Sequence, residues 1–67
     1  MYVAVYERVT PFTNGTYGTE HIIEVAGGGW LDLLSNVTWD IGIARGFPER
    51  KIAVGVAERE GYTVVNK

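Results

Sequence analysis

The chain's best candidates for acid–base chemistry are Glu20, His21 and Glu24. Such chemistry needs titratable groups brought together with matched protonation states. These residues fall at the start of a predicted strand, where an ordinary solvated strand edge explains them better. The chain has one His and no Cys, and it lacks the HExxH, GxSxG and P-loop patterns. We therefore expect no enzyme activity, no metal site and no cofactor.

A run of three glycines, Gly27, Gly28 and Gly29, comes directly before Trp30. Flexible backbone N–H groups ahead of a helix can bind an anion. However, no Lys follows as in a P-loop, and the nearest charged side chain, Asp32, is itself an anion. The run is better explained as a tight turn that needs positive φ, with a weak anion-binding site as the alternative.

Three tyrosines, Tyr2, Tyr6 and Tyr62, could share a sheet face and stack nucleic-acid bases there. Arg50 and Lys51 would then contact phosphate. The net charge of −2 disfavours this function, because nucleic-acid-binding domains normally carry a basic stripe. Packing or self-association explains these tyrosines better, and nucleic-acid binding is kept as the alternative function.

The length of 67 residues predicts one domain, residues 1–67. Residues 2–9 and 20–26 favour two strands, and Asn14-Gly15 between them favours a reverse turn. Residues 2–9 carry apolar side chains on both faces, whereas one helix can cover only one face of a sheet. The uncovered face would be an apolar patch of the kind that marks an interface.

From Trp30 onward the apolar period changes from 2 to about 3.6, which predicts a helix over residues 30–45. Its apolar stripe contains Trp30, Leu33, Leu34, Val37, Ile41 and Ala44. Gly46 and Pro48 fit a helix end. Residues 51–58 alternate like a strand, and residues 62–67 would close a second hairpin. The predicted fold is α+β, ββαββ, a four-stranded antiparallel sheet with one helix packed on one face.

Trp39 and Ile43 lie about 180° and 220° around the predicted helix from Trp30, outside its apolar stripe. As an i, i+4 pair they would touch each other, with Asn36 beside them. Three explanations remain open: the hairpin tip covers them, the helix breaks and resets its phase, or they are exposed to bind a partner. Trp is enriched at interface hot spots, so Trp39, Ile43 and Asn36 are the predicted partner-binding residues.

These features predict a non-catalytic protein that acts through protein–protein contacts. A chain this short buries a marginal core, so we also expect a homodimer through Tyr2, Tyr6 and Tyr62. No apolar run approaches about 18 residues and no leader pattern is present, which predicts a cytoplasmic protein with no membrane segment. Short domains without cofactor chemistry are typical of viral accessory proteins, including phage inhibitors of host machinery.

Overall fold

The first two strands of the computed structural model, which describes residues 1–67, form the predicted antiparallel hairpin. β1 spans Tyr2–Pro11 and β2 spans Tyr17–Val25, so both strands reach further toward the turn than predicted. Asn14 shapes this turn, because its side-chain oxygen accepts hydrogen bonds from the Thr16 amide and hydroxyl. Gly15 supplies the positive φ, 83°, that the Asn-Gly turn needs.

Two short strands, β3 (Trp30–Leu31) and β4 (Val37–Thr38), extend the sheet beyond β2. Helix α1 (Arg50–Arg59) follows, and β5 (Thr63–Val64) then pairs in parallel with β1. The strand order is β4-β3-β2-β1-β5. The domain is therefore a small α+β fold with one helix, as predicted. Its sheet is five-stranded and mixed, where the prediction was four antiparallel strands.

Helix α1 packs on the sheet through its smallest side chains. Ala53 and Ala57 are both completely buried. Residues four apart lie on the same face of a helix, and short side chains there let the helix approach the sheet closely. They belong to one core with residues of the strands and of the segment before the helix: Val3, Val5, Ile23, Val25, Leu31, Phe47 and Val64.

The strand predicted over residues 51–58 is wrong, because this segment forms α1. Its alternating pattern favours a strand, but short apolar runs fit either period. The helix buries Ala53 and Ala57 together and leaves Gly55 in open space. The second predicted hairpin is therefore absent, and the chain after α1 returns to the edge of β1 instead. With ten residues, α1 does not have the length needed to cross a lipid bilayer.

The helix predicted over residues 30–45 is also wrong. Of its apolar stripe, only Ala44 is buried and Trp30 is half-buried, whereas four members are exposed: Leu33, Leu34, Val37 and Ile41. Asp32 and Asp40 each accept a backbone hydrogen bond from the residue two positions later. Such local bonds compete with helix formation, so the chain turns twice and makes the two short strands.

The sheet face opposite α1 is partly covered by residues 41–46, which Arg8 holds in place. Its guanidinium donates to the carbonyl oxygens of Ile41 at 2.6 Å and Ala44 at 2.8 Å, and it pairs with Glu20 at 3.3 Å. Gly46, predicted as a helix end, passes so close to Glu20 that a Cβ would overlap the carboxylate. Three residues outside the helix-facing core are buried on this side: Ala4, Ile22 and Ala44.

Candidate protein-binding surface

The turn between β3 and β4 is fixed by one side chain, Asp32. Its Oδ1 accepts hydrogen bonds from the backbone N–H groups of Leu34 and Asn36, both at 2.9 Å. The Asp32 amide in turn donates to the Asn36 carbonyl at 2.9 Å. Ser35 completes the turn with a φ of 61°, a conformation that is uncommon outside glycine. These hydrogen bonds therefore hold the backbone of this turn in one conformation.

This turn presents two leucines to solvent. Leu33 is 75% exposed and Leu34 is 80% exposed. The Ser35 hydroxyl donates to the Glu60 carboxylate at 2.6 Å and so ties the turn to the residue that follows α1. The two apolar side chains project from a turn that is anchored both internally and to the helix end.

Trp39 lies against the three-glycine turn. A Cβ on Gly28 would come within 2.7 Å of the indole, and one on Gly29 would lie 3.9 Å from it. The glycines have φ values of 94°, 108° and 88° for Gly27, Gly28 and Gly29, which fits the turn interpretation. The Gly28 amide donates to the Val25 carbonyl. The central N–H of the three is thus used inside the turn, which weakens the case for the anion-binding site.

Of the three explanations for Trp39 and Ile43, the structure favours exposure. Trp39 is 77% exposed and Ile43 is 57% exposed, and Asn36 is exposed as well. The hairpin tip does not cover them, since the Phe12 ring lies against Gly18. The helical argument for a contact between Trp39 and Ile43 is wrong, because Trp39 follows β4 and Ile43 lies in the next turn.

We use the name β3–β4 apolar surface for Leu33, Leu34, Val37 and Trp39. A Cβ on Gly29 would overlap the Val37 side chain and lie 3.9 Å from the Trp39 indole, so these two side chains are neighbours. Residues 30–44 contain two carboxylates, Asp32 and Asp40, and no Lys or Arg. The charged side chains of this segment are therefore both acidic, and the Arg8 guanidinium contacts its far end at the Ile41 and Ala44 carbonyls.

Sequence reasoning missed most of this surface, because it placed the two leucines and Val37 on a buried helical stripe. The signal that could have found it is the pair Asp32 and Asn36 with Ser35 between them. These residue types form local turns through their side chains.

The predicted tyrosine cluster is only partly assembled. Tyr2 and Tyr6 are both exposed, and Tyr6 meets Trp30 in an edge-to-face contact with ring centroids 6.3 Å apart. Tyr62 is not part of this group, because it packs against the core beneath α1. Trp30 is likewise not the head of a core stripe, since it is half-buried and contacts Tyr6.

The acid–base candidates do not come together as a site. Glu20 is paired with Arg8, and its neighbour His21 bonds through its backbone to Phe47. Successive residues of a strand point to opposite faces, so His21 lies on the opposite side of β2 from Glu20 and Glu24. No three His, Asp or Glu side chains lie close enough together to hold a metal ion.

The basic residues proposed to accompany the tyrosines are also placed elsewhere. Arg50 donates to the backbone oxygens of Val5 and Asn66, and Lys51 lies beside it on α1, where it pairs with Glu49. The even-numbered Tyr2 and Tyr6 alternate with the helix-facing residues of β1. Tyr2 and Tyr6 therefore do not share a face with these cations.

Comparison with models of known protein families, with curated proteins and with solved structures finds no match to this chain.

Proposed function

We propose that this chain is a non-catalytic binding protein that acts through protein–protein contact, with the β3–β4 apolar surface as its contact. The observation that supports this most strongly is Leu33 and Leu34, two large apolar side chains held in solvent on a fixed turn. Isolated exposed apolar residues are common, but a group of them usually marks an interaction site.

The rigidity of the turn adds to this interpretation. Ordering a loop on binding costs free energy, and a loop that is already ordered avoids that cost. Asp32 orders the backbone at Leu34 and Asn36, and the bond from Ser35 to Glu60 anchors the turn to the helix end. Trp39, an anchor type at many interfaces, is positioned against the glycine turn.

The charges nearby indicate the kind of partner. The segment that carries this surface, residues 30–44, contains two carboxylates and no cation, so it offers no cationic side chain of its own to phosphate groups or anionic lipid headgroups. A protein cleft with an apolar floor and a basic or polar rim fits it better. Ile43 and Asn36, exposed in the neighbouring turns, would lie at the edge of that contact.

We also propose the class of protein and the cellular compartment that the sequence suggested. From the small size and the missing catalytic groups, we infer a phage-type inhibitor or accessory protein of host machinery. We infer that it works in the cytoplasm. Nucleic-acid binding has weaker support, because Arg50 and Lys51 are already engaged by other groups away from Tyr2 and Tyr6.

The double variant Leu33→Ser, Leu34→Ser tests this proposal. Both side chains are exposed, so stability should change by less than about 0.5 kcal/mol for each substitution. Binding should weaken roughly 100-fold, because each leucine buried at an interface contributes about 1.5 kcal/mol or more. The measurement is affinity capture from the native host, quantified by mass spectrometry, with circular dichroism to check the fold.

The matched control is Val65→Ser, which removes another exposed apolar side chain at the opposite edge of the sheet. We expect one protein to be retained by the wild type and by this control and lost from the double variant. Equal retention by all three chains would refute the proposed surface. Leucine-dependent co-sedimentation with neutral phosphatidylcholine vesicles would reassign the surface to a lipid interface.

A further inference from the structure

The second half of β1 has no neighbour on the side away from β2. β5 pairs only with Tyr2 and Val3. The next position is closed by Asn66, whose side chain accepts from the Val5 N–H at 2.8 Å and donates to the Val5 carbonyl at 2.9 Å. Beyond Val5, no residue pairs with this edge.

Hydrogen bonds elsewhere in the hairpin show which backbone groups face the open edge. The Ala26 amide donates to the Tyr2 carbonyl, and the Phe12 amide donates to the Thr16 carbonyl. The backbone N–H and C=O groups of the even-numbered residues of β1 are thus bonded to β2, and those of the odd-numbered residues face the opposite edge of the strand. Glu7 and Val9 therefore direct their N–H and C=O groups away from the sheet, and Pro11 adds a carbonyl without an N–H.

We propose that a second copy of this chain pairs antiparallel with this edge, with a two-fold axis passing through Val9. The two Val9 residues exchange N–H to carbonyl hydrogen bonds with each other. Glu7 of each copy donates to the Pro11 carbonyl of the other, and Pro11 ends the ladder because it has no N–H. The pairing also covers Val9, whose side chain is 69% exposed in the single chain.

The charges of β1 select this register over its neighbours. An axis at Arg8 would place the two Arg8 side chains opposite each other. An axis at Glu7 would place the two Glu7 carboxylates opposite each other. Like charges directly opposite each other destabilise a sheet. An axis at Val9 instead places Arg8 opposite Thr10. It also brings Phe12 opposite Tyr6 in the backbone register, with both rings directed over the sheet, toward Gly18 and Trp30 respectively.

This dimer closes on itself, because each copy uses the same edge. It lies at the opposite side of the sheet from β3 and β4, so it is independent of the proposed partner surface. Of the tyrosines predicted to mediate self-association, only Tyr6 lies beside the paired stretch, whereas Tyr2 pairs with β5 and Tyr62 packs against the core.

Sedimentation equilibrium on Val9→Lys tests the proposal. The wild type should be a dimer, and this variant should dissociate at least tenfold more readily, because it places two ammonium groups opposite each other. Thr19→Lys is the matched control, since Thr19 pairs with Val9 across β1 and β2 and adds the same charge at the other edge of the hairpin. It should remain a dimer. Circular dichroism checks that all chains fold.

Cysteine cross-linking then tests the register, in a chain that has no native Cys. Directly opposed residues at this type of position have Cα atoms about 5.5 Å apart, within disulfide range. Val9→Cys should cross-link on oxidation, whereas Glu7→Cys should not. A monomeric wild type, a Val9→Lys variant that still dimerises, loss of the dimer in Thr19→Lys, or cross-linking at position 7 instead of 9 would each overturn the proposal.

Discussion

Replacing Ala53 by Leu should remove about 3 kcal/mol of stability, the upper end of what overpacking a closed core costs. Ala53 is completely buried between α1 and the sheet, so the added carbons can fit only if the helix moves away. A domain of this length is expected to have about 3–10 kcal/mol in total. Urea denaturation should therefore show a much lower midpoint or no folded baseline.

Gly55→Ala is the matched control and should change stability in the opposite direction. Gly55 has nothing within 4 Å of the place where its Cβ would be, and Ala is favoured over Gly inside a helix by about 1 kcal/mol. In a strand, Ala53 and Gly55 would share a face, and the two substitutions would act alike. Destabilisation by both would contradict the helix over Arg50–Arg59.

Gly29→Ala should cost about 2–4 kcal/mol. The glycine has a φ of 88°, where a residue with a Cβ is strained by about 1–2 kcal/mol. The new Cβ would also overlap the Val37 side chain and lie 3.3 Å from the Thr38 carbonyl. Both residues belong to β4, so we expect the edge strand to shift and the emission of the neighbouring Trp39 to change.

Gly27→Ala separates the cost of backbone strain from the cost of side-chain overlap. Gly27 has a similar φ of 94° but open space around its Cβ position, so it should show the backbone cost alone. Urea denaturation followed by tryptophan fluorescence measures both variants. Equal losses of stability would mean that contact with Val37 and Thr38 contributes nothing, contrary to the packing described for β4.

The hairpin could be predicted because its evidence is local. The Val and Tyr residues of the segment 2–9, together with Asn14-Gly15, favour a strand and a turn without reference to the rest of the chain. The mixed sheet could not be predicted in this way. The pairing of Thr63–Val64 with β1 depends on where α1 carries the chain.

The sequence predicted a helix over residues 30–45 and a strand over residues 51–58, and both predictions are wrong for a physical reason. Leu33, Leu34 and Val37 happen to fall at helical spacing, but Asp32 bonds the backbone into a turn. In the later segment Ala53 and Ala57 are small, so a hydrophobicity pattern gives them little weight. Their burial nevertheless decides how closely the helix can pack.

The exposure of Trp39 was among the alternatives, although the helical phase that suggested it is absent. Trp39 is exposed because it follows the edge strand β4 and lies beside the glycine turn, outside the core. The leucines of the same surface were missed because their pattern resembled a buried face.

Site-specific photo-cross-linking at position 34 tests the proposed surface most directly. A photoreactive phenylalanine analogue replaces Leu34 in one chain and Val65 in another, and both are irradiated in cells of the native host. Leu34 belongs to the β3–β4 apolar surface, whereas Val65 follows β5 at the far edge of the sheet. We predict a covalent adduct with one protein partner from position 34 and no adduct with that protein from position 65. Adduct formation only from position 65, or from neither position, would contradict a partner contact at this surface.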